Sequence, residues 1–103
     1  MKVSLNWLKD YVRIQGSPQT LADSLTMAGL EVKKLESASG DTILETEITT
    51  NRPDWLSHLG VAREIHAITG ARFSVPSATN KTSRQSSKSF KISLPDPEFC
   101  PYY

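Results

Sequence analysis

The sequence has a single cysteine, Cys100, which excludes an internal disulfide and any cysteine pair that could hold zinc. A reducing cytoplasm is therefore the expected compartment. No apolar run approaches the roughly 20 residues that a membrane-spanning helix needs. Met1-Lys2-Val3 leads into no stretch resembling a signal peptide. The five glycines are scattered singly, so there is no glycine-rich loop to cradle a phosphate. Charge of one sign is also missing: 12 basic residues against 11 acidic ones leave a net charge of +1, with no global attraction to nucleic acid or membrane.

What is present suits one small domain. A chain of 103 residues with 38% hydrophobic and 22% charged residues can bury one modest core. The expected organisation is a compact body over 1–75, a polar linker over 76–88, and the opening of a following domain over 89–103. The stretch from Arg72 to Lys91 holds five basic residues and no acid, while the other 83 residues hold seven basic against eleven acidic. Such a run fits a nucleic-acid contact or a solvated linker. Ser, Thr and Asn dominate it and Phe90 is its one ring after Phe73, so without stacking groups the linker reading is preferred.

Periodicity predicts an α+β body of three helices and a short antiparallel hairpin. Ser4 is the expected cap of a first helix, Leu5–Val12, with Leu5, Leu8 and Val12 as its apolar stripe. Ser17-Pro18 opens a second helix, where Ser caps and Pro sacrifices no hydrogen bond; Leu21, Leu25 and Ala28 repeat along it, and Gly29 stops it. Leu30–Leu35 and Ile43–Thr49 read as strands around a Ser37–Asp41 turn, with Leu44, Thr46 and Ile48 on one face and Glu45 and Glu47 on the other. A third helix from about Asp54 to Thr69 carries Trp55, Leu59, Val61, Ala62, Ile65 and Ile68, with Gly70 at its end. Gly60 in its interior costs about 1 kcal/mol relative to Ala, which suggests a break or a close contact there. Trp7 and Trp55 are expected in the core. Ser89–Leu94 alternates as a strand, and Pro95, Pro97 and Pro101 punctuate the residues after it.

Candidate chemistry is sparse. His58 and His66 lie two turns apart on one helix with no third ligand beside them. Ser57, His58 and Asp54 contain the types of a catalytic relay, but neighbours on a helix diverge. The densest signal is Asn51-Arg52-Pro53-Asp54. Asn51 or Asp54 there would cap the third helix, with Pro53 fixing its entry. Alternatively, Arg52 is offered to a partner carboxylate or phosphate. No catalytic, cofactor-binding or metal residue is identified.

Several blocks nevertheless resemble a known family. Met1-Lys2-Val3-Ser4-Leu5-Asn6-Trp7-Leu8-Lys9, Leu25-Thr26-Met27-Ala28-Gly29-Leu30-Glu31-Val32, Glu47-Ile48-Thr49-Thr50-Asn51-Arg52-Pro53-Asp54-Trp55-Leu56-Ser57 and Leu59-Gly60-Val61-Ala62-Arg63-Glu64 are similar, in order, to the N-terminal domain of the bacterial phenylalanyl-tRNA synthetase beta subunit. Asp96-Pro97-Glu98-Phe99-Cys100-Pro101-Tyr102 is similar to that family's entry into its next domain.

The resemblance implies a class II synthetase of two alpha and two beta chains that charges tRNA(Phe) with phenylalanine, using ATP and magnesium. The aminoacylation site lies on the alpha chain, and editing and anticodon recognition lie later in the beta chain. The matched domain, winged-helix-like in architecture, is mainly a scaffold with no cofactor of its own. Most bacterial members carry an OB-fold tRNA-binding module between the Gly29-Leu30-Glu31-Val32 block and the Asn51-Arg52-Pro53-Asp54 block. Here only Lys33 to Thr50 fills that interval, as in a short subtype or a truncated form. Two other functions compete: a stand-alone nucleic-acid-binding module of winged-helix-like type, and a protein-interaction domain anchored by Trp7, Tyr11 and Trp55. The second helix has no basic residue with which to read a groove.

Overall fold

A computed structural model of the chain describes residues 1–77, together with Ser93 and Glu98. The expected linker over 76–88 (beyond Ser77), the strand Ser89–Leu94 and the expected start of a further domain over 89–103 lie outside the described residues, apart from those two positions. The element order is β1 (Lys2–Ser4), α1 (Leu5–Leu8), α2 (Pro18–Met27), β2 (Val32–Ala38), β3 (Asp41–Thr46), a single 3-10 turn (Pro53–Trp55) and α3 (His58–Thr69). The strands form one antiparallel sheet in the order β1-β3-β2.

The best-specified element is α2. The Ser17 hydroxyl accepts the Thr20 N–H at 3.1 Å, and Pro18 occupies the first turn. At its other end Gly29 takes φ +103°. The Leu30 N–H reaches back to the Leu25 carbonyl at 2.9 Å and the Gly29 N–H to Thr26 at 3.0 Å, closing the last turn on itself. The hairpin turns on two residues, Ser39 (φ 49°) and Gly40 (φ 81°), with Ala38 opposite Asp41. Two left-handed residues give a turn whose twist matches the strands it joins.

Across the sheet Val3, Leu44 and Leu35 lie side by side. Val3 and Leu44 are buried and join Leu8, Val12, Leu25, Leu30, Trp55, Val61 and Ile65 in one core. As expected, Leu44 and Thr46 face inward; buried Thr46 sends both its N–H and its hydroxyl to the Met1 carbonyl, at 2.7 and 3.1 Å.

The structure departs from expectation in four respects. First, β1 has no signature in the sequence, since three residues are too few to show alternation; pairing with β3 forms it. Second, α1 ends at Leu8 rather than Val12, because Val12 is drawn into an antiparallel bridge with Phe73. Third, the hairpin strands sit two to three residues from their expected bounds, and a bulge separates Val32 from Lys34. Fourth, the third helix starts at His58, after a separate 3-10 turn, and Ile68 on its stripe is exposed. No helix among the described residues is long and apolar enough to cross a membrane.

Candidate functional site

The Asn51–Asp54 motif lies between β3 and α3. Neither Asn51 nor Asp54 caps α3: Ser57 does, its hydroxyl accepting the Gly60 N–H at 3.1 Å. The chain spends one turn as a 3-10 helix first, so the cap falls three residues beyond Asp54. Pro53 opens that turn, where its missing N–H costs nothing.

Arg52 is the hub of a compact cluster. Its Nε and one Nη bond the two Asp54 carboxylate oxygens at 3.0 and 2.9 Å, and the same Nη donates to Glu64 on α3 at 2.8 Å. Its guanidinium carbon lies 3.5 Å from the centroid of the Trp55 ring. The Trp55 indole N–H, in turn, donates to Glu64 at 3.1 Å. Hydrogen bonding by Arg52 holds the Asp54 carboxyl below the usual carboxylate range, against an opposing effect of burial. Asp54 and Glu64 likewise hold the Arg52 proton more tightly than usual. A planar fork can grip two carboxylates and stack on a ring at once, which a lysine cannot do. The cluster pins the 3-10 turn to α3 and seats Trp55, 2% exposed, in the core.

Gly60 completes this junction. A methyl group built there would lie 1.7 Å from the Asp54 carbonyl oxygen, so α3 and the turn touch backbone to backbone. That is the close contact its position suggested.

The second cluster surrounds α1. Trp7 is not core: it is 52% exposed, and its ring stacks on His58 with centroids 4.0 Å apart. A helix of four residues presents only Leu5 and Leu8 inward, leaving Trp7 outside. Its indole N–H donates to the Tyr11 hydroxyl at 3.2 Å. His58 Nε2 accepts the Ser4 N–H at 3.0 Å, which requires the neutral ring; burial pulls its pKa down from 6.5. Asp41, at the hairpin end, accepts from the Ser4 hydroxyl at 2.5 Å, from the Asn6 N–H at 3.0 Å and from its neighbour Thr42 at 2.7 Å.

Ser57, His58 and Asp54 form no relay, since each is bonded to a different backbone or side-chain group. His66, at the far end of α3, bonds the Ala71 carbonyl. Among the described residues no three His, Cys, Asp or Glu side chains gather as a metal would require. Sequence reasoning missed Glu64, twelve residues from Arg52, and the Trp7–His58 stack, because both depend on how distant segments meet.

No family model matches the chain. Among curated proteins it is similar to the phenylalanine–tRNA ligase beta subunit of Rhodopirellula baltica, 38% identical over 104 residues, which takes in 100% of this chain and 15% of that protein. It is similar to the chloroplastic phenylalanine–tRNA ligase beta subunit of Porphyra purpurea, 45% identical over 76 residues, 69% of this chain and 11% of the relative. It is also similar to the phenylalanine–tRNA ligase beta subunit of Synechocystis, 44% identical over 63 residues, 61% of this chain and 8% of the relative. The chain thus spans 15% or less of these relatives' length. The 104-residue match to the Rhodopirellula protein covers all 103 residues, leaving no room for an inserted module between the two blocks in that relative. The short interval is shared, not peculiar to this chain.

Proposed function

The chain belongs to the phenylalanine–tRNA ligase beta subunit family, and from that premise we propose that it is a non-catalytic scaffold within such a synthetase. The observation that carries this reading is the Arg52 cluster. The motif with the most functional promise in the sequence bonds its own chain: Arg52 to Asp54 and Glu64, and Trp55 to Glu64. Those side chains build a rigid junction between the 3-10 turn and α3.

In this proposal residues 1–75 form a winged-helix-like N-terminal domain, 76–88 link it onward, and 89–103 begin the next domain. The whole enzyme is a cytoplasmic class II synthetase of two alpha and two beta chains. Phenylalanine activation with ATP and magnesium, and transfer to tRNA(Phe), belong to the alpha subunit and to parts of the beta subunit outside these residues. A reading helix inserted in a DNA groove is disfavoured, since α2 has no basic residue and α3 has Arg63 alone apart from its histidines.

The test is assembly. Removing residues 1–75 from the beta subunit is expected to impair the two-alpha, two-beta complex in light scattering and to abolish tRNA charging. The 103-residue chain alone is expected to support no phenylalanine-dependent ATP–pyrophosphate exchange. Intact assembly and charging without the domain, or exchange by the isolated chain, refutes the scaffold reading.

A further inference from the structure

Behind α1 the chain returns along itself. Val12 and Phe73 form an antiparallel bridge, closed by the Arg13 N–H to the Arg72 carbonyl at 3.2 Å and the Ser74 N–H to the Tyr11 carbonyl at 2.8 Å. Val12 is buried, so strand alternation places Tyr11, Arg13, Arg72 and Ser74 on the outer side. These residues, with Lys9 and Asp10, line an open groove of about 550 Å³.

Lys2, Lys33, Lys34 and Arg52 each have a carboxylate partner. Lys9, Arg13 and Arg72 form no salt bridge among the described residues, yet they line one groove; Lys9 bonds the Asn6 side-chain oxygen at 3.0 Å and feels the Asp41 carboxylate, while the two arginines have no such partner. Arg13 and Arg72 sit directly opposite each other across the bridge, an arrangement that like charges make unfavourable. Folding gains nothing from that pair, but an anion placed between the two guanidiniums would. Beside them the Tyr11 hydroxyl holds the Trp7 indole N–H. His58 covers one face of that indole, while Trp7 as a whole remains half exposed. Cations that track a backbone, next to a ring on which a base can stack, are the requirements of single-stranded nucleic acid binding.

We propose that this face binds single-stranded RNA, with a phosphate between Arg13 and Arg72, the next phosphate towards Lys9, and an unstacked base against Trp7. The site lies within residues 1–77. RNA as the occupant rests on the family reading; the phosphate and ring chemistry does not.

Fluorescein-labelled dodecauridylate titrated with the 103-residue chain, by anisotropy over a range of salt, tests it. The wild type is expected to bind at 50 mM salt with a steep slope of log K against log salt. R13A/R72A is expected to reduce the magnitude of that slope by about 0.7, the value for the one phosphate held between the two guanidiniums of a single-strand complex, and to weaken binding roughly tenfold or more. R13K/R72K is expected to keep the slope. W7A is expected to weaken binding roughly tenfold with the slope unchanged, the signature of lost stacking. Arg13 and Arg72 are exposed, so unchanged far-ultraviolet dichroism is expected for their variants. Absence of wild-type binding, an unaltered slope in R13A/R72A, or equal competition by inorganic phosphate or polyglutamate overturns the proposal. None of these residues belongs to the Arg52 cluster, so failure here leaves the assembly test of the scaffold reading standing.

Discussion

Replacing Gly60 by Ala tests the α3 junction directly. In an ordinary helix interior the change favours folding by about 1 kcal/mol. Here the new Cβ would sit 1.7 Å from the Asp54 carbonyl oxygen and 2.7 Å from its carbon, whereas ordinary contacts begin at 3.4 Å. Both atoms are backbone, so no side chain can swing aside; the 3-10 turn must retreat, and it carries Trp55 and the Arg52 cluster with it. Overpacking of this kind costs about 1–3 kcal/mol, and disturbing the seat of a buried Trp adds to that. Net of the propensity gain, G60A is expected to lose about 2–4 kcal/mol, from a total of roughly 4–11 kcal/mol for a body of this size. Urea unfolding monitored by tryptophan fluorescence and far-ultraviolet dichroism reads it as a midpoint lower by about 1–2 M at constant slope. Ala67→Gly, exposed on the same helix, serves as the control and is expected to cost about 1 kcal/mol. A G60A protein as stable as the wild type, or more so, would refute the close contact.

Leu25 and Ile65 are both almost wholly buried in the common core, so L25A and I65A are each expected to cost about 2–5 kcal/mol; a loss below half a kcal/mol in thermal or urea unfolding contradicts the packing. His58 is held neutral in the fold, its pKa lowered by burial and partly restored by Asp41. Its contribution is therefore complete above the unfolded value of about 6.5 and declines as pH falls below it, and H58Q is expected to flatten that part of the stability profile. The carboxyls of Glu36, Asp41 and Asp54 are also lowered, mainly by hydrogen bonds from Lys34, Ser4 and Arg52 respectively. What they add is present above the unfolded values near 4 and is lost on further acidification, so both effects weaken the fold towards acid. D41A is expected to speed amide hydrogen exchange at Asn6 and Thr42, whose N–H groups its carboxylate accepts; unchanged exchange would show that the hairpin end is held otherwise.

Much of the local structure was written in short-range chemistry. Ser17-Pro18 and Gly29 bounded α2, Gly70 (φ 68°) ended α3, and the Ser-Gly-Asp stretch marked the hairpin, because capping and left-handed turns depend on one to four adjacent residues. The alternation of Leu44 and Thr46 against Glu45 fixed which face of β3 meets the core. The family, too, was legible, since its blocks are runs of sequence. Tertiary structure alone decided the rest. Trp7, an aromatic beside an apolar stripe, looked like core, but α1 stopped a turn early once Val12 had paired with Phe73, and the indole stayed outside on His58. Asn51-Arg52-Pro53-Asp54 looked suited to a cap first and to a partner second, yet Ser57 is the cap and Arg52 bonds its own chain; nothing local shows that Glu64 and the Trp55 ring will meet Arg52. Arg13 and Arg72 become neighbours only when the end of the body folds back on residues 11–13. Local propensity acts over a few residues, whereas which charges meet, and which rings stay wet, is set by contacts between segments far apart in the chain.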